Sequence, residues 1–287
     1  MRGERQKLIG ILFSIFIIVS QACANEEWII PQEIFQGDLK TISIRSTDLV
    51  LAYFEEEPVV LWKENGKWRG IIGSDLFSPV GKKRLTLKSG MTEKIFLVEV
   101  KKRELPIRYL TLPEKWLKLP KEVLERIQME KERLRCLFGE KWETPPLWKE
   151  PFRWPVKGRI SDGFGTKRLI NGQYVSYHLG IDLSAPKGEM VYPSNRGEVV
   201  FAGPLVLEGN TVIIHHGIGL YSLYCHLEEI RVREGEFVKE DFPIGTIGST
   251  GRAQGPHLHF SVIFRNKKVD PLSLLEALGD EDGRKVF

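Results

Sequence analysis

The chain has 287 residues, with 42 lysines and arginines against 38 aspartates and glutamates and a formal net charge of +4. Half of that excess lies in residues 1–24, where Arg2, Arg5 and Lys7 face Glu4 (three cations less one anion), so the remainder is nearly neutral, which argues against a nucleic-acid binder. Apolar residues make up 42% of the sequence; that is enough core material to exclude wholesale disorder and to fill two domains.

Residues 1–24 read as a signal peptide. A basic start precedes Leu8 to Ser20, an apolar run shorter than the ~20 residues of a membrane-spanning helix. Ala22-Cys23-Ala24 offers an A-x-A cleavage site; lipid attachment at Cys23 and retention as an anchor are the alternatives. In each case the protein is exported and works in the periplasm or cell envelope.

Residues 25–110 read as a β-sandwich. TISIRS, VLAYFE, PVVLWKE, KRLTLKSG and KIFLVEVKK alternate apolar and polar residues, the mark of half-buried strands. Turns are expected at Gln36-Gly37-Asp38, Asn65-Gly66 and Ser89-Gly90. The stretch holds no histidine and no cysteine, so it reads as an accessory domain: a dock for an envelope protein partner or a cap over a neighbouring groove.

A helical connector and linker follow over 111–149. Pro120 starts the helix, Gly139 stops it, and Val123, Leu124, Ile127, Leu134, Leu137 and Phe138 form one stripe, packed between two domains. Glu122 is expected to pair with Arg126. WETPPLWKEPFRWP, Trp142 to Pro155, reads as an extended linker into a second domain over 150–287. Cys136 and Cys225 read as two buried thiols rather than a bridge.

All six histidines lie between positions 178 and 259. In GPHLHFSV the period-two alternation of a strand puts His257, His259 and Ser261 on one face and Leu258, Phe260 and Val262 on the other. In SYHLGID it pairs His178 with Asp182 and leaves the uncluttered Gly180 between them. In YSLYCHL it groups Ser222, Tyr224 and His226. If these strands are neighbours, four imidazoles and a carboxylate converge, a ligand set that suits zinc. A catalytic zinc needs three protein ligands, so two candidates are spare for acid–base chemistry. His215 and His216 are expected at a turn or at the rim of the cleft.

The H-x-x-x-D of His178–Asp182, GNTVIIHHG, YCHL, the G-S-T-G of Gly248–Gly251 and GPHLHF, with the lead-in GRISDGFGTKR, together resemble the lysostaphin/LytM-type zinc endopeptidases over about residues 150–278. The resemblance implies a C-terminal antiparallel β-sheet domain, so the whole chain is expected to be mainly β. It implies one Zn2+ bound by His178, Asp182 and His259, with His226 and His257 as catalytic histidines. It implies a peptidoglycan peptide as substrate, cut at stem peptides or cross-links; a non-catalytic regulator of another wall hydrolase is the alternative. Tyr192-Pro193 departs from the small residues common in the family, which bears on the groove wall rather than on the metal. At the end of the chain, Asp270-Pro271 is expected to open a short helix carrying Leu272, Leu275 and Leu278 and closed by Gly279, with 281–287 frayed.

Overall fold

The computed structural model describes residues 27–114 and 117–280. The expected signal peptide and the last seven residues, expected to fray, lie outside the described residues.

Two sheets face each other in the N-terminal half. One has the spatial order Glu27–Ile29, Leu39–Arg45, Lys67–Gly73, Leu61–Glu64. The other runs Glu33–Phe35, Thr92–Lys101, Gly81–Ser89, Val50–Phe54, Glu57–Val59. Alternation puts Ile42, Ile44, Val50, Ala52, Leu85, Leu87, Val98 and Val100 between them. Asn65 and Gly66 both take positive φ (50° and 74°), the type I′ geometry that matches strand twist. PVVLWKE is not one strand. The chain changes sheet at Val60, and Pro58, which has no N–H to give, lies on the edge strand Glu57–Val59.

The chain then contributes a strand to the C-terminal half. Ile107–Leu110 pairs in parallel with Lys167–Ile170, which pairs with Tyr174–Tyr177 to make a three-stranded sheet. The helix Lys121–Phe138 begins after Pro120 and ends at Gly139, as expected. Its Leu134, Leu137 and Phe138 pack with Phe201, Ile213, Leu223 and Ile263 on one face of the large C-terminal sheet, rather than between two domains. Arg126 pairs with Glu130 at 2.8 Å, not with Glu122. Cys136 is exposed, against expectation, and Cys225 is buried; both are free thiols.

Residues 142–155 form a packed strap rather than a free linker. Leu147 N donates to His216 O (2.8 Å) and Ile218 N to Thr144 O (2.6 Å). Phe152 is fully buried between Trp148 and His216, and Trp148 meets Trp62 of the sandwich edge-on at 5.4 Å. Leu39, Ile71 and Leu76 of the sandwich share one apolar cluster with Phe164 and Phe264. Arg103 bridges Asp38 and Asp270 beside that cluster.

The C-terminal sheet is antiparallel in the order Arg159–Asp162, Ile181–Ser184, Leu258–Phe264, Leu220–Ile230, Gly209–His215, Gly197–Leu205, Phe237–Val238. The helix Pro271–Leu278 closes one side; the Asp270 carboxylate accepts from Leu272 N, and Leu274 and Leu275 are its buried leucines.

His215 and His216 are not at a rim; both are fully buried. His216 contacts Arg196 O through Nδ1 and Ser222 Oγ through Nε2. Neither ring nitrogen of His215 has a hydrogen-bond partner among the described residues, and the ring lies 4.8 Å from that of Tyr221. Burial pushes both imidazoles down to about 4. Their folded pKa lies below the ordinary 6.5, so the unfolded chain binds protons first. The stability they contribute is complete above pH 6.5 and is lost as pH falls toward 4. His215→Phe should keep stability at pH 7 and remove up to about 1.4 kcal/mol per pH unit from the acid-side slope. Urea midpoints of both proteins at pH 7 and pH 5 check this; parallel slopes would contradict it.

Candidate metal centre

Register brings the first ligands together. Ile181↔Phe260, Asp182↔His259 and Leu183↔Leu258 are cross-strand partners. Ile181, Leu183, Leu258 and Phe260 are fully buried, so alternation sends Asp182 and His259 to the other face together. His178, just before that strand, completes the group. His178 Nε2 lies 2.9 Å from both Asp182 Oδ1 and His259 Nδ1, and His259 Nδ1 lies 2.8 Å from Asp182 Oδ1.

Which way these short contacts are donated depends on the ring tautomers. His178 Nδ1 meets the carbonyl of Gly163 at 2.9 Å, so in the neutral ring that nitrogen carries the proton and Nε2 is a bare acceptor. His259 Nε2 meets Ser261 Oγ at 2.7 Å, which turns Nδ1 toward the carboxylate. Lone pairs from two imidazoles and a carboxylate thus face one point. Donors on a tetrahedral zinc with bonds of about 2.0–2.1 Å stand about 3.3 Å apart, so this triad fits that ion with a small outward shift. Burial alone would raise the Asp182 carboxyl, but the His178 and His259 imidazoles outweigh it and hold it far below the ordinary range. Burial also lowers His259, keeping it neutral and able to ligate.

His226 arrives by a route that alternation does not give. Cys225 is the partner of His259, and Ser222 and Tyr224 pair with the buried Val262 and Phe260. Ser222 and Tyr224 therefore lie on the opposite face from His259 and Asp182, correcting the expected Ser222/Tyr224/His226 grouping. At His226 the backbone turns left-handed (φ 64°), beside a register shift in the pairing with Gly209–His215. This bulge brings the ring within 6.0 Å of His259, centroid to centroid. Its cost, of order 1 kcal/mol or more for a non-glycine residue, is the kind of strain that collects at working sites.

His226 and His257 are equipped alike. His226 Nδ1 meets Thr250 O and His257 Nδ1 meets Gly255 O, each at 2.8 Å, so each Nε2 is left as the open acceptor. The rings are 4.9 Å apart, and His257 Nε2 is 3.8 Å from Asp182 Oδ1. Burial, aided by His259 and His257, pushes His226 down to about 4, so it is neutral at pH 7.

Two groups escaped the sequence reading. Arg168 reaches Asp182 Oδ2 at 3.2 Å and holds Asp162 through Nε at 3.0 Å. Both stand in the lead-in GRISDGFGTKR, which gave no hint of a charged contact with the metal site. The groove beside the triad, about 370 Å³, is walled partly by Arg108, Leu110 and Leu112. Within the 25–110 segment only its last strand reaches the groove, through Arg108 and Leu110; Tyr192 and Pro193 do not line it.

Residues 176–271 match the model of Peptidase family M23. Peptidoglycan DD-endopeptidase ShyB of Vibrio cholerae is 38% identical over 125 residues, 42% of this chain and 29% of ShyB. Murein hydrolase activator NlpD of Salmonella dublin is 35% identical over 125 residues, 43% of this chain and 31% of NlpD. The chain spans less than a third of the length of these relatives. A crystal structure from Pseudomonas aeruginosa assigned to peptidase M23 superposes with a TM-score of 0.65 at 26% identity, over 85% of this chain and 96% of that one. That likeness extends well beyond residues 176–271.

Proposed function

We propose, starting from the match of residues 176–271 to Peptidase family M23, that the chain is an exported zinc endopeptidase that hydrolyses peptide bonds in the stem peptides or cross-links of peptidoglycan. The observation that carries this reading is the meeting of His178 Nε2, His259 Nδ1 and Asp182 Oδ1 within 2.8–2.9 Å of one another. With both rings presenting lone pairs, three acceptors meet at that spacing, and a cation among them relieves their repulsion. His178, Asp182 and His259 would hold a zinc ion there, which would supply Lewis-acid activation of the scissile carbonyl and of water.

The protein's own share is positional and protonic. The Gly163 carbonyl and Ser261 fix the tautomers and angles of the two imidazole ligands. His226 and His257 present open Nε2 atoms beside the triad. Between them they take the proton of the attacking water and hand one to the leaving amine. The ring that is protonated also steadies the tetrahedral oxyanion. The sequence has no H-E-x-x-H, so no glutamate base is called on.

The test is zinc content followed by digestion of purified sacculi, with released fragments read by mass spectrometry. One zinc per chain and new peptide amines, both removed by a chelator, are expected. Intact sacculi with zinc bound would overturn the reading. The likeness to NlpD supports a second one, a regulator that activates another wall hydrolase. In that case sacculi are cut only when a second hydrolase is added, and faster with this protein than without.

A further inference from the structure

The groove carries more positive charge than its own carboxylates neutralise. Arg108, Arg168 and Arg252 line it, against Asp162 and Asp182, so the count is +1 before any metal cation is added. Arg168 is committed to both aspartates. Arg108 stands 3.5 Å from Asp162 Oδ2, a carboxylate oxygen already held by Arg168, and is half exposed. Arg252 makes no salt bridge among the described residues. Glu208 attracts it without forming an ion pair, and burial raises the Glu208 carboxyl toward its neutral form.

The location of Arg252 ties it to the chemistry. Thr250 O holds the His226 ring and Gly255 O holds the His257 ring. Arg252 lies between these two carbonyls, and its own backbone is pinned by Arg252 N donating to Leu207 O at 2.8 Å. One loop thus fixes both imidazoles and offers the groove an unpaired guanidinium. Arg108, already 3.5 Å from Asp162 Oδ2 and 3.4 Å from the Ser161 carbonyl oxygen, adds a half-exposed cation from the strand Ile107–Leu110. A guanidinium fork matches a carboxylate with two parallel hydrogen bonds, and carboxylates are the anions that peptides carry.

We propose that Arg252, assisted by Arg108, binds a carboxylate of the substrate next to the scissile bond, so that the groove selects acidic peptides. The proposal rests on the peptidase reading above and names a feature of its substrate. The carboxylate is either the peptide's own C-terminus or one carried on a residue within it.

Three synthetic peptides of one sequence decide this with the zinc-loaded full chain. One carries both carboxylates, one has a C-terminal amide, and one has the internal carboxylate replaced by carboxamide. The wild type should prefer the free acid over one of the two amides by about tenfold or more in kcat/KM, mostly through KM. Which amide suffers identifies the carboxylate. In Arg252→Gln that preference should collapse toward unity, in Arg252→Lys part of it should return, and in Arg108→Gln it should fall by less. Zinc content reports whether each variant keeps the metal site. Equal cleavage of all three peptides by the wild type, or an equal loss on all three in Arg252→Gln, overturns the proposal. Cleavage of none overturns the peptidase reading, and this proposal with it.

Discussion

His259→Ala should leave the protein without bound zinc and without activity, while His257→Ala should keep its zinc and lose about 10²–10⁴-fold in kcat. The two residues are one position apart, yet their rings do different things. His259 Nδ1 lies 2.8 Å from Asp182 Oδ1 and 2.9 Å from His178 Nε2, inside the triad. His257 Nε2 is 3.8 Å from Asp182 Oδ1 and its Nδ1 is tied to a loop carbonyl. Removing the first deletes a donor from a three-donor site. Removing the second leaves every donor in place and takes away a proton carrier. Metal analysis of the purified variants with a peptide-release assay checks both halves. Equal zinc content in the two variants would defeat this division of labour.

Gly180→Ala should damage the same site without touching a ligand. A Cβ at Gly180 would lie 2.3 Å from Ser261 Oγ, 2.5 Å from the Phe260 carbonyl oxygen and 2.9 Å from His259 Cε1. The hydroxyl can rotate, but the carbonyl belongs to the ladder between Ile181–Ser184 and Leu258–Phe264. The strands must therefore part, and Asp182 moves away from His259. We expect zinc affinity to fall by about 10–100-fold, the range seen when groups supporting a ligand are lost. Overpacking should also cost about 1–3 kcal/mol of stability. Chelator competition and urea unfolding measure the two effects. A variant matching the wild type in both would show that the strands absorb a methyl group without moving.

Period two grouped five candidate side chains, and only the resemblance to the lysostaphin/LytM-type endopeptidases singled out His178, Asp182 and His259 as the metal set. Asp182 and His259 each sit in a regular strand, where period two decides the face, and His178 lies four residues from Asp182. Asn65-Gly66 was legible for a similar reason, since both positions of a type I′ turn need positive φ. His226 was assigned to the site for the wrong structural reason. Strict alternation groups it with Ser222 and Tyr224, and only the left-handed backbone at residue 226 separates them. Nothing in YSLYCHL announces that turn; a glycine or asparagine would have. The burial of His216 was hidden because Phe152 of the strap 142–155 covers it from far along the chain, and that of His215 because its ring packs on Tyr221 inside the sheet. The sheet change at Val60 was masked by an unbroken apolar run.

The parallel pairing of Ile107–Leu110 with Lys167–Ile170 joins residues some sixty positions apart. Contacts of that span form late, because a long loop must close before they are made. The wall that carries Arg108 is therefore completed late in folding. Asp182 and His259 are farther apart still along the chain, by 77 positions, so metal-binding competence and a finished groove wall would both arrive late, and neither could be gained by the sandwich folding alone.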